Sequence, residues 1–143
     1  MITIYAIPLS LYCAKLRILL RHKNLDWQEL PPPGGYGSDE YKKFVPSGNL
    51  PALIDGDLKL ADSEAIAEYL NENYPDPAML PGGSGTRARI RERSRFHDTR
   101  LEPALRKLFG NIASDRRDAD LNARQSIEIN ARLAQLGLML KGR

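Results

Sequence analysis

The sequence predicts an α/β unit of order β-α-β-α-β-β-α followed by a purely helical unit. Three observations predict it. Short apolar runs alternate with helical periodicities up to about residue 74. Pro, Gly and Ser then crowd into "PDPAMLPGGSGT", residues 75–86, a break between periodic segments. Charge divides near the same place. Residues 1–80 carry seven Lys/Arg against eleven Asp/Glu, a net of −4; residues 81–143 carry fourteen against seven, a net of +7. Such a split implies two units with different surroundings.

Ile2–Ile7 is apolar and rich in β-formers, so it reads as the first strand. Residues 11–23 then place Cys13, Leu16, Leu19 and Leu20 at helical spacing. A second strand over Asp26–Leu30 ends at the breaker "PPPGGYGS", and a short helix follows over Asp39–Phe44. In "NLPALIDGDLKLAD" the runs Ala52–Ile54 and Leu58–Leu60 flank Asp55-Gly56-Asp57, a hairpin signal. Ser63–Tyr74 sets Ile66, Tyr69 and Leu70 on one face with acidic residues opposite. Beyond the break the texture is helical only, over Thr86–Phe109 and Asp118–Lys141. The second of these carries Ile127, Leu133, Leu136 and Leu140 along one side.

At 42% hydrophobic and 27% charged, the composition is that of a soluble globular protein. No apolar run approaches 18 residues, so no membrane partner is expected. No Lys or Arg precedes the apolar stretch of MITIYAIPLS, so a secretory signal is not expected either. One cysteine cannot form an internal disulfide, which fits a reducing, cytoplasmic location. Cys13 and two separated histidines, His22 and His97, exclude a Cys/His zinc cluster, and no acidic loop has metal-binding spacing. No metal cofactor is expected.

Four stretches could carry chemistry. Ser10 ends a strand and opens a helix, so its hydroxyl is a cap or a functional donor beside a positive dipole end. It also begins "SLYC", a dithiol motif with serine in place of the first cysteine; Cys13, among apolar neighbours, reads as a buried structural thiol. Pro51 enters a strand, where a trans bond is ordinary. A cis bond would instead turn the Leu50 backbone outward, toward an extended peptide. Asp62 and Ser63 begin a helix, as caps or as a seat for an α-amino acid head group, carboxylate beside ammonium.

The fourth stretch, "TRARIRERSRFHDTR", suggests nucleic acid. Arg87, Arg91 and Arg95 share one face, however, while Arg89 and Arg93 lie nearly opposite and Glu92, Asp98 and Glu102 are interleaved. A solvated, salt-bridged helix at a subunit contact is the preferred reading, and no nucleic acid partner is expected.

Taken in order, S-x-x-C, V-P-S-G-N-L-P-A-L, D-S-E-A-I-A-E-Y-L and a Pro/Gly linker into helices resemble the cytosolic glutathione transferases. The similarity is dense over residues 1–80 and looser beyond. It implies a thioredoxin-like glutathione-binding domain at 1–76, a linker at 77–86 and an all-helical domain at 87–143. Ser10 takes the place of the activating hydroxyl in the serine (theta-like and zeta-like) classes, and ranks above Tyr5. Leu50, with Pro51 cis, would pair with the cysteinyl backbone of glutathione. Asp62 and Ser63 would hold the γ-glutamyl head, and Asn49 stands near the glycyl carboxylate.

The resemblance implies glutathione as co-substrate, a small electrophile as second substrate, homodimerisation and a role in detoxification. The activity it implies is conjugation, with glutathione-dependent isomerisation or dehalogenation, or a non-catalytic interaction module, as alternatives. The family's helical domain normally holds about five or more helices, and this sequence has room for two. Either the sequence is incomplete or its helices pair with a second copy, and incompleteness is the preferred reading.

Overall fold

The computed structural model describes residues 1–113, 115 and 117–141, which divide into a unit spanning Met1–Met79 and a second beginning at Leu80. The first unit contains β1 (Ile2–Tyr5), α1 (Leu11–His22), β2 (Trp27–Leu30), α2 (Asp39–Lys42), β3 (Ala52–Asp55), β4 (Leu58–Ala61) and α3 (Ser63–Asn73). This is the order expected from the alternation of periodicities. Its strands form one sheet in the order β2-β1-β3-β4. β1 runs parallel to β2 and antiparallel to β3, and β3 and β4 form the hairpin. Gly56, with φ 58, occupies the first of its two loop positions, where a II′ turn requires a positive φ.

Strand alternation gives the sheet two buried faces. Ile2, Ile4 and Leu53 point into a core with Cys13, Leu16, Leu19 and Leu20 of α1 and Ile66 and Leu70 of α3. Ala52 packs on the other side with Tyr41 and Val45, joined by the partly buried Tyr5 and Ala61. Tyr5 meets Tyr41 edge-on, ring centroids 5.8 Å apart, so its side chain is part of this second core. Both faces are covered by helix, as a three-layer α/β unit requires.

Local chemistry sets the helix ends. α1 starts at the Ser10 cap and stops in a Schellman motif, with Asn24 at φ 52. Leu25 N–H donates to Leu20 O and Asn24 N–H to Arg21 O, pairing carbonyls that the helix leaves open. Lys23, only 4% exposed, donates from Nζ to Tyr74 O (2.6 Å) and Pro77 O (3.0 Å). Burial pulls its pKa below the usual lysine value, and the carbonyls at the C-terminal end of α3 are suitable partners for its cation. Asp55 Oδ2 accepts from Tyr69 OH and Tyr74 OH at 2.9 and 2.7 Å, fastening the same end of α3 to β3.

The second unit holds α4 (Ser84–Phe96), a π-helical turn (His97–Leu101), α5 (Glu102–Arg106), a 3₁₀ turn (Phe109–Asn111) and α6 (Ala119–Lys141). The single helix expected over 86–109 is thus interrupted. Pro103, at the start of α5, has no N–H and its ring would clash with the carbonyl four residues back. The widened π turn lies immediately before it. β1 is also shorter than expected, ending at Tyr5.

α4 buries none of its residues. Arg93 donates to Met139 O of α6 from Nε (3.2 Å) and NH2 (2.8 Å), and Arg106 pairs with the buried Glu102. On α6, Ile127 and Leu138 are 73% and 69% exposed. Among the described residues no helix is long and apolar enough to cross a membrane.

Arg17 makes a two-pronged bond to Glu29, 2.9 and 2.6 Å, and a third bond to Ile7 O at 3.2 Å. Arg17 holds the Glu29 carboxyl below the usual carboxylate range. A carboxyl whose folded pKa is depressed stabilises the fold above its unfolded pKa, and that contribution is lost as pH falls through the folded value. Wild type is therefore expected to exceed Arg17→Met in stability by at most about 1 kcal/mol near neutrality, because the pair is partly exposed. Urea unfolding between pH 7 and pH 3 checks this, and the advantage should shrink below roughly pH 4.

Candidate functional site

Register brings the site together. Tyr5 of β1 pairs with Leu30 of β2 and Ala52 of β3, and Ala52 pairs with Ala61 of β4. These four residues form one row across the sheet, at the C-terminal ends of β1, β2 and β4 and the N-terminal end of β3. The chain leaves this row toward Ser10, arrives at it through Leu50-Pro51, and leaves it again through Asp62-Ser63. Segments distant in sequence thereby share one sheet end, and the loop after β2 joins them.

Ser10 is half-buried, and its Oγ accepts the Cys13 N–H at 3.2 Å, capping α1. A hydroxyl has one donor and two acceptor lone pairs. The cap uses an acceptor site and leaves the O–H free to donate. Cap and chemical donor are therefore compatible roles for one side chain. Cys13 is fully buried behind it.

The Leu50–Pro51 bond is cis, and Pro51 is fully buried. No hydrogen bond among the described residues uses the N–H or C=O of Leu50. Just before it, Asn49 is held by its carbonyl, which accepts from Tyr41 OH at 2.7 Å. Burial raises the Tyr41 pKa far above the phenol range, so this hydroxyl stays a donor. The Asn49 side chain itself is exposed and takes no part in that bond.

Asp62 has φ 100, a conformation that L side chains rarely adopt. Its Oδ1 accepts from Glu64 N–H (2.9 Å) and Ala65 N–H (3.1 Å), capping α3. Oδ2 has no partner among the described residues. Ser63 is only 9% exposed, yet neither its hydroxyl nor its N–H has a partner among them. The first N–H groups of a helix have no partner within it, so the Ser63 donors are available to a group from outside the chain. Free donors at a helix N-terminus suit a carboxylate, and the neighbouring Oδ2 suits an ammonium.

The sheet end thus offers a hydroxyl donor at Ser10, an unpaired backbone amide at Leu50, and anion donors beside a carboxylate at the start of α3. The family model for the glutathione S-transferase N-terminal domain matches residues 4–78. The chain belongs to this family.

Curated relatives agree. The chain is 39% identical over 94 residues to glutathione S-transferase Z2 of Arabidopsis thaliana, covering 59% of this chain and 42% of the relative. It is 41% identical over 83 residues to a maleylacetoacetate isomerase of Pseudomonas aeruginosa, covering 54% and 39%. Among solved structures, a bacterial zeta-class glutathione S-transferase, a maleyl pyruvate isomerase, is 28% identical with a TM-score of 0.78, covering 93% of this chain and 66% of that one. The chain spans less than half the length of the two curated relatives.

Two features escaped the sequence reading. The Tyr41–Asn49 bond joins a helix residue to a loop carbonyl, and no motif marks it. An ion pair between Lys15 and Glu64 ties α1 to α3 across 49 residues. Spacing on a single helix cannot reveal such a pair.

The two bonds to Asp62 Oδ1 make it a structural cap as well as a candidate ligand group. Asp62→Ala is expected to destabilise the chain by about 0.5–2 kcal/mol in urea unfolding, and Asp62→Asn by much less, because the amide oxygen still caps. Equal losses in both variants would assign the effect to charge and not to the cap.

Proposed function

We propose that the chain binds glutathione and activates its thiol through the Ser10 hydroxyl, for addition to a small electrophile. In this reading Ser10 donates to the thiolate and Leu50 pairs with the cysteinyl backbone at the cis Pro51. Ser63 takes the γ-glutamyl carboxylate, and Asp62 Oδ2 takes the ammonium. Asn49 lies toward the glycyl end, and Tyr41 fixes the loop that carries it. The observation that supports this reading best is the start of α3, where the Ser63 hydroxyl and N–H have no partner among the described residues and lie next in sequence to Asp62, whose Oδ2 has none either. A cytoplasmic, homodimeric transferase without a metal is the state this reading expects.

The energetics suffice. Only the thiolate is a good nucleophile, and a free thiol near pKa 8.5 is mostly protonated at neutral pH. Lowering that pKa by about two units takes about 2.7 kcal/mol of preference for the anion. A hydrogen bond to a charged group supplies roughly 1.5–3 kcal/mol. A helix N-terminus adds roughly 0.3–1 kcal/mol. Because the Oγ already accepts from Cys13 N–H, its O–H is polarised toward donating. Ser10 is the donor and the sulfur is the nucleophile.

A second reading, glutathione-dependent isomerisation, is favoured by the relatives named as isomerases. In it the thiolate adds to a carbon–carbon double bond, rotation follows, and the thiolate leaves again. The residues around the sulfur are the same in both readings. Assays with a halonitrobenzene and with a cis-unsaturated diacid separate them: net consumption of glutathione marks conjugation, its recovery marks isomerisation.

Ser10 can be divided by chemistry. Ser10→Ala removes both acceptor and donor; Ser10→Asp keeps an acceptor for Cys13 N–H but cannot donate as a carboxylate. Ser10→Ala is expected to lose about 0.5–2 kcal/mol of stability and Ser10→Asp to recover most of it. Turnover should fall by roughly tenfold or more in both, with glutathione affinity in Ser10→Ala nearly unchanged, since the donor acts on the anion. Full turnover in Ser10→Asp would remove Ser10 from the chemistry.

A further inference from the structure

The Tyr41 hydroxyl reaches the candidate site through one peptide group. It donates to Asn49 O at 2.7 Å, and that oxygen shares a planar peptide unit with the Leu50 N–H. The Asn49–Leu50 bond is trans, so the N–H points opposite to the carbonyl. Holding the oxygen therefore fixes the direction of the amide. The Leu50 C=O lies in the next peptide unit, beyond two rotatable backbone bonds, and is not held in this way.

The phenol that does the holding is itself anchored. Tyr41 is fully buried, and its ring meets Tyr5 edge-on. Its own N–H donates to Ser38 Oγ at 3.0 Å, and Ser38 Oγ donates to Pro33 O at 2.6 Å. The core on one side and the loop after β2 on the other thus restrain α2, and burial keeps the hydroxyl protonated as a donor. A carbonyl that accepts a hydrogen bond is polarised, which strengthens the N–H of the same peptide unit as a donor.

We infer that the Tyr41 hydroxyl sets glutathione affinity by orienting and polarising the Leu50 amide, the group that donates to the cysteinyl carbonyl. This rests on the placement of glutathione proposed above. Tyr41 acts through the Asn49–Leu50 peptide and is a positioning residue, not a catalytic one. It makes no bond to Ser10, so its loss changes affinity and leaves thiol activation intact.

Two variants separate this role from general loosening. Tyr41→Phe keeps the ring in the core and removes only the hydroxyl. Tyr69→Phe removes a hydroxyl from Asp55, at the far end of β3 from the site. Isotope labelling of asparagine carbonyls and leucine amides gives a local readout, because only Leu25 and Leu50 follow an asparagine. Leu25 N–H is bonded to Leu20 O, so its signal serves as the internal reference.

Nuclear magnetic resonance titration with glutathione, with unfolding midpoints measured in parallel, tests the inference. Before ligand is added, Tyr41→Phe is expected to shift the Leu50 amide signal and to leave Leu25 in place. The dissociation constant read at Leu50 should then rise roughly three- to tenfold, the scale of one net hydrogen bond. Tyr69→Phe should change it less than about twofold, and the bound thiol should keep its wild-type pKa in both. An unmoved Leu50 signal in Tyr41→Phe, or equal weakening in the two variants, overturns the role of Tyr41 while leaving the site standing. A wild-type Leu50 signal that does not respond to glutathione overturns the placement and this inference together.

Discussion

The antiparallel register of β1 on β3 is the constraint on which the candidate site depends. Pairing Tyr5 with Ala52, and Ala52 with Ala61, puts three chain segments at one edge of the sheet. A slip of one residue would turn Leu53 out of the α1/α3 core and Ala52 into it. The core forbids that exchange, because Leu53 is fully buried among Ile4, Leu20, Ile66 and Leu70. Packing in the middle of the sheet therefore fixes the location of Ser10, Leu50 and Asp62 at its end. The Tyr41–Asn49 bond carries the same control into the loop before β3.

At that end, in the proposed function, helix capping and ligand chemistry use complementary parts of the same groups. Ser10 gives its lone pair to α1 and keeps its O–H. Asp62 gives Oδ1 to α3 and keeps Oδ2. Ser63 starts the helix and keeps its N–H and hydroxyl. Capping orders each side chain before any ligand arrives, which lowers the entropy lost on binding. The dipoles of α1 and α3 supply partial positive charge at two of the three places where the proposed ligand is anionic, the thiolate and the γ-glutamyl carboxylate.

The fold was legible where the signals are local. Apolar alternation, the Asp55-Gly56-Asp57 turn and the caps at Ser10 and Asp62 each fall within a few residues, and each lies where expected. The helix break before Pro103 was also written locally, in a proline that a window dominated by arginines obscured. The cis bond at Pro51 followed from the resemblance, since a trans bond is the ordinary expectation for an isolated X–Pro. Long-range polar contacts carry no such signature. Lys15 and Glu64, Lys23 and Tyr74, and Asp55 with Tyr69 become partners only after α1 and α3 have packed on the sheet.

In the proposed function Ser10, held as a cap, lowers the pKa of a bound thiol. The most direct measurement is an ultraviolet titration of glutathione thiolate against pH, with the chain at near-stoichiometric concentration, in wild type and Ser10→Ala. The bound thiol is expected about two units below the free value near 8.5 in wild type, and to return toward that value in the variant. A thiol that binds without any shift in wild type, or one that stays shifted in Ser10→Ala, would contradict it.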